Sequence, residues 1–306
     1  MLPHLAARVF DVPLMIDAGK AAAIVSAIGG RFLGVADQAV TVVGADPISH
    51  VSFMNGRPSE SMGRLGDPLG RAYEANGAGD RMLFKVGNVA VIPVEGTLVH
   101  KGKFLGAYSG ETSYEGLQAR VARAMRDPSV KGVVFEVDSY GGEVAGAFDT
   151  AEMIYALSQQ KPTLAILTDF AYSAGYLLAA AARQIVMPST GGAGSIGVVT
   201  LHVDYSGKLE ADGIKVTVLA AGDHKGEGNE FAPLAEDVAA RILEKLEATR
   251  QEFAAAVGRY RGVRLTKNGA LATQALGYRG EDAVKAGLAD QVMRPTTAFE
   301  QFVALV

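Results

Sequence analysis

The chain is predicted to be an α/β protein, with helices layered on a largely parallel sheet. Three observations lead there. From about residue 82, strand-like apolar runs alternate with helix-like runs. The run Thr163-Leu164-Ala165-Ile166-Leu167 is continuously apolar, as a buried strand is. Two candidate stretches, 138–142 and 169–173, follow such runs, and loops at the carboxyl ends of parallel strands are where α/β proteins place their sites. About half of the 306 residues are hydrophobic, enough for a sizeable core.

Residues 1–43 carry apolar segments at mixed spacing, with a helix expected around 17–28, and read as a small N-terminal appendage. Residues 44–81 are rich in Gly, Pro, Ser and charge, as in Asn55-Gly56-Arg57-Pro58-Ser59-Glu60, and read as a linker. Residues 82–306 read as the main domain. Val89–Val94 is its first strand, and Pro93 inside it suggests an edge or a strand end. Thr112-Ser113-Tyr114-Glu115 has capping-box spacing and opens a helix to about Met125, which Asp127-Pro128 ends. Gly132–Val137 is a strand, followed by a helix over about 143–158 and by the strand at 163–167.

Ser173 follows, and then Leu177-Leu178-Ala179-Ala180-Ala181-Ala182, a strong helix-forming run. Gln184–Met187 reads as a short strand, 191–194 as a loop and 196–203 as another strand. A short helix is expected over 208–212, a strand over 215–219 and a long amphipathic helix over about 235–259, where Ile242, Leu243, Leu246 and Phe253 recur at helical spacing. Two short helices fill 265–287, and Gly287–Val292 ends the domain.

Composition removes several classes of function. The net charge is −4, without the basic patch that a nucleic-acid surface needs. There is no cysteine, hence no thiol nucleophile, disulfide or thiolate metal site. The most apolar stretch, 21–30, lies between Lys20 and Arg31 and is far short of the ~20 residues that span a bilayer. Asp11 and Asp17 precede it where a signal peptide would be basic, so the chain reads as a protein that is not secreted and has no membrane anchor.

Ser173 stands where a strand ends and a helix begins. There, unpaired N–H groups and the positive end of the helix dipole favour negative charge beside the serine oxygen, as acyl transfer produces. The plainer reading is a helix N-cap. A serine hydroxyl needs a base, either a histidine or a lysine of lowered pKa. His4 and His50 lie outside the regular core. His100 and His202 read as structural histidines. His224 sits beside Lys225 in a glycine-rich loop, where a solvated lysine is the ordinary expectation. Gly141-Gly142 lacks side chains, so a backbone N–H there can approach a substrate carbonyl, with the Ala174 N–H as a second donor; an ordinary turn explains the pair equally well. Gly194-Ser195 reads by itself as a turn.

Together, Asp138-Ser139-Tyr140-Gly141-Gly142, Ser173-Ala174-Gly175, Ala193-Gly194-Ser195-Ile196-Gly197 and the loop 222–226 with Lys225 resemble, in order and spacing, the motifs of the signal-peptide-peptidase A family of Ser-Lys peptidases. The likeness spans about 86–293. Within the family, Leu2-Pro3-His4-Leu5-Ala6, Pro13-Leu14-Met15, Val94-Glu95-Gly96-Thr97-Leu98 and Val144-Ala145-Gly146-Ala147-Phe148-Asp149 are most similar to the head-maturation proteases of tailed phages. The resemblance implies Ser173 as nucleophile, Lys225 as general base, an oxyanion hole from the Gly142 and Ala174 amides, and Ser195 orienting the lysine. It implies a Clp-protease/crotonase-type fold, a homo-oligomer, no cofactor or metal, capsid, scaffold or portal proteins as substrates, and a place in the host cytoplasm or procapsid. Tyr140 replaces the family's usual Pro, Ala193 its Thr, and Glu230 a Pro common after the lysine loop. The alternatives are a crotonase-like acyl-CoA enzyme, a signal-peptide-peptidase-like protease degrading membrane-derived peptides, and a non-catalytic capsid-assembly factor.

Overall fold

A computed structural model describes residues 13–16, 83–101 and 111–306. The expected linker and all but a few residues of the expected appendage lie outside the described residues. In chain order the elements are β1 (Leu14–Ile16), β2 (Phe84–Val86), β3 (Val89–Val99), β4 (Glu111–Ser113), α1 (Tyr114–Arg126), β5 (Gly132–Glu143), α2 (Ala147–Gln160), β6 (Thr163–Tyr172) and α3 (Ala174–Ala180). Then come β7 (Gln184–Met187), β8 (Gly192–Gly194), α4 (Ser206–Ala211), α5 (Glu236–Arg261), α6 (Lys267–Ala272), β9 (Gly277–Arg279), α7 (Gly280–Lys285), β10 (Gln291–Val292) and α8 (Pro295–Leu305).

The expected layered α/β architecture is present. The sheet runs β10-β7-β6-β5-β3-β2, parallel from β10 to β3, with β2 antiparallel at its edge. Ala90, Ile92, Val94, Val133, Phe135, Val137, Ala165 and Leu167 point into one core, shared with α1, α2, α3 and α5. Their neighbours Val89, Val91, Val134, Leu164 and Ile166 point to the other face, under Phe299 and Phe302 of α8. Burial on both faces is why these strands read as continuous apolar runs. Pro93 falls between the stretches of β3 that pair with β2 and with β4, so among the described residues its missing N–H interrupts no ladder on that side.

The structure corrects several sequence expectations. The domain does not end at Val292: α8 follows, starting on Pro295, and covers the second face of the sheet. The cap of α1 is Ser113, which accepts from the Gly116 N–H, while the Thr112 hydroxyl donates to the Glu95 carbonyl. The helix expected from 143 starts at Ala147, because β5 continues to Glu143 and the chain turns at Gly146 (φ 85°). The loop at 191–194 contains β8, which pairs with β6 and β9. Neither 196–203 nor 215–219 is a strand. The first segment touches the sheet through an isolated bridge from Val199 to Leu14, and the second runs irregular and exposed. Both have strand-like composition, but a strand needs a neighbour to pair with.

Leu14–Ile16 belongs to the expected appendage by position, yet it is a strand of this sheet. β1 pairs antiparallel with Gly141–Glu143 of β5, and Met15 is fully buried in the main core. Among the described residues no helix is long and apolar enough to cross a membrane.

Candidate active site

The site forms where strands lose their regular register. β5 and β6 pair evenly to Val137↔Leu167, then resume at Ser139↔Ala171, with extra residues bulged out on β6. β3 and β5 slip in the same way after Glu95↔Asp138. Such irregularities bend strands and re-aim their ends. Beyond Ala171, β6 leaves β5 and turns into α3 at Ser173.

Ser173 has φ 54° and ψ −122°, a backbone conformation that a residue with a side chain adopts only at a cost of about 1–3 kcal/mol. The surroundings hold it there. Its N–H donates to the Gly194 carbonyl (2.9 Å), and its carbonyl accepts from the Leu177 N–H (3.0 Å). Ser173 stands at the N-cap position of α3, but its hydroxyl makes no capping hydrogen bond there. Among the described residues its Oγ makes one long hydrogen bond, donated to the Gly197 carbonyl oxygen at 3.5 Å. The side chain is therefore positioned but not committed to a structural bond.

The glycine stretch 139–142, an irregular part of β5 that follows its register shift, lies against this serine. Ser139 is fully buried; its hydroxyl donates to the Gly96 carbonyl (2.7 Å) and accepts from the Gly141 N–H (3.1 Å). This bond occupies the Gly141 N–H, while Gly142 pairs across the sheet with Met15 and Leu98. Both glycines are required by contact. A side-chain carbon on Gly142 would overlap the Leu98 backbone, and Gly141 has φ 98°. Gly175 lets α3 approach: a carbon there would lie 2.8 Å from the Ser139 carbonyl oxygen. A carbon on Gly141 would lie 3.0 Å from the Ala174 nitrogen, so turn and helix start are in contact. Ala174 is the first residue of α3, and its N–H is one of the donors that a helix leaves free.

Tyr140, standing where the resembling family has Pro, packs against Phe170 and Tyr172 with ring centroids 5.2 and 5.7 Å away. The guanidinium of Arg279 lies 5.6 Å from the Phe170 ring centre. Aromatic packing thus supports the turn where proline is absent. Ala193 is fully buried in β8, paired with Ala171. The Glu230 carbonyl accepts from the Tyr205 N–H (2.8 Å).

Ser173, Gly142 and Ala174 are brought together, and Ser195 stands next to Gly194, the residue that holds the Ser173 amide. Ser195 also has a positive φ, 55°, and its N–H donates to the Leu276 carbonyl (3.0 Å). Lys225 sits elsewhere. It is exposed, on a turn closed by its own N–H to the Gly222 carbonyl (3.1 Å). Among the described residues no hydrogen bond joins it to Ser173 or Ser195. Glu227 anchors that turn to α5, accepting from Arg241 (2.6 Å) and pairing with His224 Nδ1 (2.8 Å). Hydrogen bonds from His224 and Arg241 hold the Glu227 carboxyl below its ordinary pKa. The His100 ring packs on Gly146, and the His100 backbone N–H donates to the Glu143 carboxylate (2.6 Å), a structural role. His4 and His50 lie outside the described residues.

Sequence reasoning missed two participants. One is Ser139, whose hydroxyl shapes the glycine turn; the signal was its place inside a quoted motif. The other is β1, for which three apolar residues gave no periodic signal.

Behind the site, Tyr176 of α3 donates to the Leu288 carbonyl (3.1 Å), and burial pushes its hydroxyl far above the usual tyrosine range. Next to it, the buried Arg261 guanidinium donates to both Asp290 oxygens (2.9 Å each) and to the Gly287 carbonyl.

Comparison with known proteins agrees with these motifs. The model for Peptidase family S49 matches residues 155–306. Capsid assembly protease C of Escherichia phage lambda is 36% identical over 97% of the chain and 64% of its own length. Head-tail preconnector protein GP5 of Enterobacteria phage P21 is 37% identical over 97% of the chain and 56% of its own length. The chain thus spans less than two thirds of these relatives. Among solved structures, a membrane-bound stomatin-specific protease superposes over 71% of the chain and 84% of its own, with a TM-score of 0.43 and 16% identity.

Proposed function

The chain belongs to peptidase family S49, and from that premise we propose that it is a serine endopeptidase that cuts capsid, scaffold or portal proteins during phage head maturation. One observation carries the reading. Ser173 is held in a strained strand-to-helix turn with its hydroxyl unspent, between a glycine turn and a free helix-start amide.

In the proposed mechanism Ser173 Oγ attacks the carbonyl carbon of the scissile bond. Lys225 accepts the serine proton and passes it to the leaving amine. The Gly142 and Ala174 amides hold the oxygen that becomes negative. Water then hydrolyses the acyl-serine. Ser195 orients the lysine.

For this chemistry the segment carrying Lys225 has to close on Ser173. That segment exposes Ile214, Val216, Val218, Leu219 and Phe231. Such an apolar run favours burial against another surface, and a second copy of the chain is the proposed partner. The proposed setting is the host cytoplasm or procapsid.

The test is co-expression with the neighbouring capsid genes, together with a fluorophosphonate probe. Wild type is expected to shorten a head protein and to be labelled on Ser173, whereas Ser173→Ala does neither. Intact head proteins and an unlabelled Ser173 in a folded wild type would refute the proposal. Turnover of an acyl-CoA thioester under those conditions would establish the crotonase-like alternative.

A further inference from the structure

We infer that β1 is the chain's own ligand for its peptide-binding groove, seated where a substrate strand must lie and excluding substrate until it leaves. The inference rests on the peptidase reading above, which supplies the nucleophile beside the groove.

The groove follows from the topology. Up to Ser139↔Ala171 the outer edge of β5 is covered by β6. From Gly141 onward β6 has turned away to present Ser173, which leaves the edge at Gly141–Glu143 open to another strand. β1 fills it, with Leu14↔Glu143, Met15↔Gly142 and Ile16↔Gly141. Its other edge is paired too: the Leu14 N–H donates to the Val199 carbonyl (2.7 Å), and the Val199 N–H donates back (2.9 Å). A three-residue strand is thus held on both sides, in the manner of an extended peptide added to a sheet edge.

The occupant reaches the chemistry. The Met15 carbonyl lies where a side chain on Gly141 would be, and that same position is 3.0 Å from the Ala174 nitrogen. This carbonyl therefore approaches the glycine turn and the helix-start amide assigned to the oxyanion. The side chains show what the groove accepts. Met15 points into the main core at 0% exposure, while Leu14 and Ile16 face the other way, against Val199 and Leu201. An apolar, unbranched residue at the position of Met15 is the preference this implies. Ser173 is only 1% exposed while β1 is seated.

The test separates the groove from the catalysis. A fluorescent peptide with the sequence of residues 11–18 is titrated into Ser173→Ala protein, with and without a change that weakens β1. Met15→Asp places an unpaired charge in the core. Leu14→Pro removes the donor to Val199 without adding charge, and serves if the first variant does not fold. An occupied groove lowers apparent affinity by the fraction that is open, so the weakened chains should bind the peptide at least about tenfold more tightly. In the Ser173-containing chains, the same changes should lower KM for an apolar peptide substrate with little change in kcat. A peptide scrambled in order should not compete. Equal binding by parent and variants, or binding by none of them, would overturn the inference, whatever the fluorophosphonate result. An unlabelled Ser173 combined with the expected binding difference would instead count against the peptidase reading and leave the groove standing.

Discussion

Replacing Asp290 by alanine is expected to be among the most damaging single changes outside the site. The Arg261 side chain is 0% exposed, and both Asp290 oxygens bind its guanidinium at 2.9 Å. The same carboxylate accepts from the Ile185 N–H (2.7 Å) and from Arg264 (3.1 Å). It thereby ties the end of α5 to β7, beside the carbonyl that holds Tyr176. Asp290→Ala strands a buried cation, a situation that costs about 3–5 kcal/mol. For a domain of this size that corresponds to a fall in Tm of roughly 6–20 °C. Urea unfolding followed by circular dichroism measures it. A second change, Arg261→Met, should recover part of the loss, because it removes the stranded charge. The pH dependence has a definite sign. Burial pushes the Asp290 carboxyl up, but the Arg261 hydrogen bonds and charge, with Ile185 and Arg264, outweigh this and hold it below its usual value. A depressed carboxylate contributes stability that is complete above its unfolded pKa, about 3.9, and is lost as pH falls through the folded value. Asp290→Asn should therefore show less loss of stability on acidification below about pH 4 than wild type. A loss under about 1 kcal/mol for Asp290→Ala, the level of an exposed pair, would refute this reasoning.

Other outcomes follow from the site and the second core. Lys225→Ala should lose about 10²–10⁴-fold in turnover of a peptide substrate, the share typical of a general base, while His224→Ala keeps most of it; the reverse result would move the base to His224. Gly142→Ala should cut the rate of fluorophosphonate labelling by about 10²-fold or more, since the added carbon meets the Leu98 backbone and shifts the proposed oxyanion donor. Labelling at the wild-type rate would remove that donor from the mechanism. Phe302→Ala should destabilise by about 3–5 kcal/mol in urea, because it uncovers the sheet face over Val134 and Ile166, and a cost near zero would mean that α8 is not a working part of the core.

Much of the site was legible in sequence because backbone contact dictates its residues. Gly142 fits only against the Leu98 backbone without a side chain, and Gly175 only against the Ser139 carbonyl. Such contacts leave room for no side chain, so these positions read as glycine, and Ser173 is found between them. Strand partners are less legible. Lys215–Leu219 has the composition of a strand, but composition names a face and not the neighbour that pairs with it. That segment runs exposed here, and so does Lys225 in the turn that follows it, without a hydrogen bond to Ser173 among the described residues. The final helix was missed because its eleven residues follow a segment that already read as an ending, although Pro295 was a fair start signal.

One topological event links what was read correctly and what was not. β6 parts from β5 after Ala171, and this parting does two things. It frees Ser173 from the ladder, so that the chain can take the strained turn into α3. It also strips the partner from Gly141–Glu143, which leaves backbone groups that a buried sheet cannot leave unpaired. The strained turn that carries Ser173, the proposed nucleophile, and an empty strand position are therefore made together by the same divergence. The letters around Ser173 reveal the first. The second is a vacancy, which no residue encodes, and any short apolar segment able to reach it can fill it. Leu14–Ile16 meets that requirement with three ordinary residues, which is why a strand so close to the chemistry left so faint a trace in the sequence.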